Sequence, residues 1–106
     1  MKVRFMRIIL FFDLPTTSAR ERKIYATFRK NLIKDGFVML QYSVYTKMVL
    51  NPTAVSLTKA RLQRYKPDEG NIQILTVTEQ QFARIECITG ELESSVVQSA
   101  DRTVVL

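Results

Sequence analysis

Histidine and tryptophan are absent from this 106-residue chain, and cysteine occurs once, as Cys87. Each absence removes a chemistry. Without imidazole there is no Ser-His-Asp triad, no histidine acid–base pair and no histidine-ligated zinc. A single thiol closes neither an internal disulfide nor a thiolate metal cage, and it suits a reducing compartment. Long apolar runs are also lacking: Ile8 to Phe12 spans five residues before Asp13, whereas a membrane helix needs about 20. Nothing resembling a secretion signal opens the chain, so a cytoplasmic location is expected. There is no internal repeat and no low-complexity segment.

What remains is enough for one domain. At this length folding hides roughly two thirds of the extended chain's surface, and 46% apolar residues supply one core. Charge is unevenly spread. Residues 1–66 hold 14 basic side chains against 3 acidic ones, while residues 67–106 hold 2 against 7, within a net +6. A positive body therefore precedes an acidic end. Such a body attracts polyanions through counterion release, although lysine and arginine also serve plain solubility.

The pattern along the chain predicts alternating elements. Residues 3–12 read as a strand with a polar, partly alternating start and an apolar finish buried on both faces, with Asp13 at its carboxyl edge. Met6 is an alternative start, which makes residues 1–5 an extension. Ser18 and Glu21 form a capping box for a helix that ends at Gly36. Its Ile24, Tyr25, Phe28 and Leu32 share one face, and Arg20, Arg22, Lys23, Arg29, Lys30 and Lys34 cover the other. Residues 37–50 are too long for one strand and split near Gln41 to Ser43. Asn51 and Pro52 start a second helix with an apolar stripe of Ala54, Val55, Thr58, Leu62 and Tyr65 and outward Lys59, Arg61, Arg64 and Lys66. A turn at Pro67 to Gly70 leads into a strand at 71–78. A short capped helix over 78–85 and an extra strand at 86–89 follow.

Strand, helix, two strands, helix, strand is the split βαβ, ferredoxin-like order of an α+β sandwich. Both helices cover one sheet face, and the uncovered face invites a partner. Residues 1–90 form the domain, and 91–106 an acidic tail. For Tyr42, Tyr45 and Phe37 the expectation is ordinary sheet packing rather than base stacking. Cys87 is expected to be a small buried hydrophobe.

With histidine and cysteine chemistry gone, a carboxylate is the remaining anchor for hydrolysis, and oxygen ligands select hard cations such as magnesium or manganese. Asp13 is the candidate, at a strand end before a Pro-Thr-Thr-Ser loop and the amino end of a basic helix, where a phosphate has a place to sit. Asp-Leu-Pro also reads as a plain turn. The other two acids of the basic portion, Glu21 and Asp35, fall at helix ends. A second copy packed through the open sheet face would bring a second Asp13 to the two-fold axis, where a shared cation relieves their repulsion.

The segments IILFFDLP, the Arg20/Arg22 helix and GFVMLQYSVY from Gly36 resemble the second universal CRISPR-associated protein family, in forms accompanying type II systems. The resemblance runs from about Met6 to Gly90. It implies a ferredoxin-like homodimer and a magnesium or manganese ion shared by two copies of Asp13; the tail departs most from the family, and its β-prone end, Thr103 to Leu106, is read as an extra C-terminal strand open to the partner protomer. It further implies endonuclease activity on RNA or double-stranded DNA, and a CRISPR adaptation role in which the dimer bridges integrase dimers and binds duplex DNA during spacer acquisition. Arg20, Arg22, Lys23, Arg29 and Lys30 are the expected nucleic-acid contacts; Ser43 and Tyr45 match the family's second motif without an assigned step. Two other readings remain: a single-stranded RNA-binding module of RNA-recognition type, and a toxin-like messenger-RNA nuclease. Against the first, GFVMLQY falls on the second strand and lacks the repeated Gly-aromatic pattern.

Overall fold

The computed structural model describes residues 5–91. The elements in chain order are β1 (Met6–Asp13), α1 (Ala19–Lys34), β2 (Val38–Gln41), β3 (Val44–Val49), α2 (Pro52–Tyr65), β4 (Asn71–Thr78) and α3 (Glu79–Phe82). The strands form one antiparallel sheet in the order β2-β3-β1-β4, which is the ferredoxin-like arrangement expected. The predicted C-terminal tail, 91–106, lies outside the described residues beyond Glu91.

Local chemistry explains the boundaries. Ser18 Oγ accepts from the Glu21 amide at 3.1 Å, and Glu21 Oε1 accepts from the Ser18 amide at 2.9 Å; this reciprocal cap starts α1. Asn51 Oδ1 caps α2 through the Ala54 amide at 2.8 Å, with Pro52 in the first turn. Pro15 has no N–H for a ladder, so β1 stops before it.

Alternation along β1 divides the sheet's two faces. Ile8, Leu10 and Phe12 face the helices and pack with Phe28 and Leu32 of α1, Val55 and Leu62 of α2, and Tyr45 and Val49 of β3. Arg7, Ile9, Phe11 and Asp13 face the other way. There α3 folds back, and Phe82 joins Ile9, with Val38, Leu40, Val44 and Val77 packed around the pair. The rest of that face stays open, with Phe11, Met48 and Leu75 exposed.

Four expectations are corrected. The first strand begins at Met6 among the described residues, and its finish is not buried on both faces, since Phe11 is 40% exposed, whereas in its polar start Arg7 is 1% exposed. Its guanidinium grips Glu79 at 2.7 and 2.8 Å and lies 4.2 Å from the Phe82 ring centroid, a bidentate pair that lets a charge be buried. Residues 86–89 form no strand and pair with none of the four, and Ile88 stands 92% exposed without packing against the sheet. Cys87 in that segment is exposed rather than buried. Arg61, expected to point outward, turns in to Asp35 at 2.8 Å.

Candidate active site

Asp13 is held at the end of β1 from three sides. Phe12, the residue before it, turns to the helix side, 5.2 Å from the Phe28 ring and 5.7 Å from those of Tyr25 and Tyr45. The Phe12 amide donates to the Ser43 carbonyl at 3.1 Å, tying β1 to the β2–β3 turn. On the other side Asp13 pairs with Asn71 of β4. The loop before β4 can pass only because residue 70 is glycine. A Cβ there would lie 2.6 Å from the Asp13 carbonyl oxygen and 2.6 Å from Leu14 Cδ2, and its φ is +92°.

The side chain of Asp13 follows Phe11 onto the open face and into a shallow cleft of about 190 Å³, which Ser43, Val44, Asn71 and Gln73 also line. It is exposed, and among the described residues its carboxylate has neither a hydrogen-bond nor an ion-pair partner. Ser43 sits at φ 64°, a left-handed conformation that costs a non-glycine residue roughly 1 kcal/mol or more. Its hydroxyl lies 3.4 Å from the Tyr25 hydroxyl. Strain of this kind is retained where surrounding contacts enforce it.

Among the described residues no three His, Cys, Asp or Glu side chains gather into a metal cage. In this cleft the chain offers one carboxylate, that of Asp13. Magnesium is commonly held by one or two carboxylates together with substrate phosphates and water, and an exposed carboxylate with no protein partner fits that donor set. So does the oxygen-bearing side chain of Asn71, which pairs with Asp13 across the β1–β4 register and lines the same cleft.

The predicted cationic residues do not form one patch. Arg22 reaches back to the loop after Asp13, where its Nη1 donates to the Thr16 and Thr17 carbonyls at 3.2 and 2.8 Å. Arg20 stands above a separate cleft by the 66–69 loop, 3.8 Å from Glu69. Arg29 Nε donates to the buried Tyr45 hydroxyl at 2.9 Å. Lys23 and Lys30 are exposed along α1. The amino end of α1, expected to receive a phosphate, already holds an anion: Glu21 Oε1 accepts from the Thr17 and Ser18 amides. The Ser18 amide bond holds the Glu21 carboxyl below its ordinary pKa.

A family model described as "CRISPR associated protein Cas2" matches residues 6–85, which include every strand and helix described above. The chain belongs to the Cas2 family. It is 50% identical over 101 residues to the "CRISPR-associated endoribonuclease Cas2" of Streptococcus mutans serotype c (strain ATCC 700610 / UA159), covering 95% of this chain and 93% of that protein. With the protein of the same name from Treponema denticola it shares 46% identity over 101 residues, 95% of this chain and all of the relative. A solved structure titled "Crystal structure of cas2" superimposes with a TM-score of 0.52 at 16% identity, over 85% of this chain and 92% of that one, a likeness of fold.

Within this Cas2-family site, three features escaped the sequence reading. Gly70 reads as a turn residue, but its close approach to Asp13 is what needs glycine. Arg29 and Tyr45 are 16 residues apart and meet only across the helix–sheet interface. Tyr42, expected to pack in the sheet, is 74% exposed and stacks on Tyr25, with centroids 6.0 Å apart and planes 21° apart. A hydrogen bond with Tyr25 raises the Tyr42 phenol above its ordinary pKa. Phe37 and Tyr45, by contrast, are buried as expected.

Proposed function

We propose that this Cas2-family chain acts as a two-fold dimer packed through its open sheet face, with magnesium or manganese between two copies of Asp13, and that it hydrolyses phosphodiester bonds. The observation that carries this reading is the Asp13 carboxylate: exposed, without a partner among the described residues, and braced at a strand end. The relatives' name, endoribonuclease, favours RNA as substrate; duplex DNA is the second substrate that the basic body suits. The divalent ion, when bound, supplies Lewis-acid stabilisation of phosphate charge and lets water act near neutral pH without imidazole.

The chain's own residues do the remaining work. The two Asp13 carboxylates accept hydrogen bonds from the attacking water and align it with phosphorus. The water oxygen bonds to phosphorus, the ester oxygen leaves, and protons exchange with solvent. Arg20, Lys23 and Lys30 hold flanking phosphates, while Arg22 orders the loop beside Asp13 and Arg29 fixes Tyr45. The same dimer serves CRISPR adaptation as a scaffold that bridges integrase dimers and carries duplex DNA during spacer acquisition.

Asp13→Ala is expected to abolish magnesium-dependent RNA cleavage while leaving nucleic-acid binding in place, measured on one preparation by gel assay and anisotropy. Full cleavage by that variant rejects the site. In a fragment-insertion assay with co-purified integrase, insertion that survives Asp13→Ala supports a scaffold independent of hydrolysis.

A further inference from the structure

Tyr42 is out of place for a strand aromatic. It sits at the tip of the β2–β3 hairpin, with one ring face on Tyr25 and the bulk of its surface in water. Ordinary packing would bury such a ring, as it buries Tyr45 three residues later. The backbone that presents it is held by several contacts: Ser43 adopts a left-handed conformation, its carbonyl accepts from Phe12, and its hydroxyl meets Tyr25. Those contacts tie the hairpin tip to the end of β1. One step past the Phe12–Ser43 contact in each strand come Asp13 and Tyr42, with backbones about one to two interstrand spacings apart, ~5–10 Å. Tyr42 shares the helix side of the sheet with Tyr25, whereas Asp13 opens on the other side, so a strand crossing this end of the sheet passes both.

We infer that Tyr42, backed by Tyr25, is a stacking platform for one unpaired nucleobase of a strand whose phosphodiester lies at Asp13; the inference rests on the hydrolytic reading above. Flat aromatic faces hold single-stranded bases with little sequence preference, and cations beside them hold the backbone. Both parts are present. Lys23 and Lys30, exposed along the same helix as Tyr25, supply the cations, while Arg22 and Arg29 hold the neighbouring loop and Tyr45 in place. The platform is pre-organised by the Tyr25 stack, so binding immobilises little that was free.

The chain has no tryptophan, so Tyr42→Trp installs a single indole fluorophore at the platform. In an Asp13→Asn background, titration with a short fluorescein-labelled single-stranded RNA of mixed sequence is expected to quench the indole emission in step with the rise in anisotropy. Tyr42→Leu, checked for an unchanged melting temperature, is expected to weaken RNA binding ~10-fold or more, and Tyr42→Trp to preserve it. RNA that binds with no change in indole emission, or that binds Tyr42→Leu as tightly as the native protein, overturns the platform; loss of cleavage in Asp13→Ala would then still uphold the hydrolytic site. Quenching that persists in a protein whose cleavage ignores Asp13 keeps the platform and removes the hydrolytic reading. A blue shift of the indole emission with protein concentration alone places the ring in a protein interface and overturns the inference.

Discussion

Asp35 gathers three donors at the end of α1: Lys47 Nζ at 3.2 Å, Arg61 Nε at 2.8 Å and the Tyr65 hydroxyl at 3.0 Å. Burial of the Tyr65 phenol, followed by that bond to Asp35, pushes its pKa above the ordinary tyrosine value. The sign of the pH effect follows from linkage. Below about pH 10 the phenol is protonated in both states, and its contribution to stability is complete. Above that, the unfolded chain releases a proton that the folded chain keeps, so stability falls with rising pH. Tyr65→Phe has no such proton. Its melting temperature should lie below that of the native protein at neutral pH, where it lacks the bond to Asp35, and the gap should hold below about pH 10 and begin to narrow between about pH 10 and about pH 11. Thermal melts across that interval decide the matter: curves that stay parallel would show that Tyr65 does not titrate differently in the two states.

Short elements depend on such distant partners. The four residues of α3 are too few to hold a helix alone, and the Thr78/Gln81 capping box is completed by the Arg7–Glu79 pair that fastens the turn to the sheet. Glu79→Gln removes the carboxylate that the buried Arg7 guanidinium grips at two points, a change expected to cost about 3–5 kcal/mol. Replacing both partners, as Arg7→Met with Glu79→Gln, should recover much of that loss. Urea midpoints of the two variants test this, and a single variant no less stable than the double would refute the clamp. Legibility in the sequence divides along the same line. The starts of α1 and α2 and the hairpin break at 41–43 were readable because Ser18/Glu21, Asn51/Pro52 and the length limit of a strand are local signals. Arg7 was not, since Glu79 is 72 residues away and a polar, partly alternating strand start gives no sign that this arginine is buried. Asp35 was readable as a helix end but not as the meeting point of three elements. In the site, Asp13 stood out by elimination, whereas Tyr42 looked like any strand aromatic until its exposure was visible.

At the scale of the whole molecule, each chain presents one Asp13 beside an incompletely covered sheet face. Phe11, Met48 and Leu75 are exposed there, and Leu75 lies opposite Ile9 in the β1–β4 register at 53% exposure. Exposed apolar side chains on a sheet face suit an interface, and the two-fold pairing proposed above would supply a second carboxylate through it. The two-copy site proposed above has a quantitative signature. When native protein is mixed with Asp13→Ala and allowed to exchange subunits, the fraction of dimers with two carboxylates falls as the square of the native fraction. An equal mixture should therefore retain about a quarter of the native rate rather than half, at constant total protein. Leu75→Glu provides the companion measurement, because a charge on that face should yield a monomer by sedimentation that keeps its circular dichroism spectrum and loses magnesium-dependent cleavage. A mixture whose rate falls in direct proportion to the native fraction, or a Leu75→Glu monomer that cuts at full rate, would mean that each chain carries a complete site.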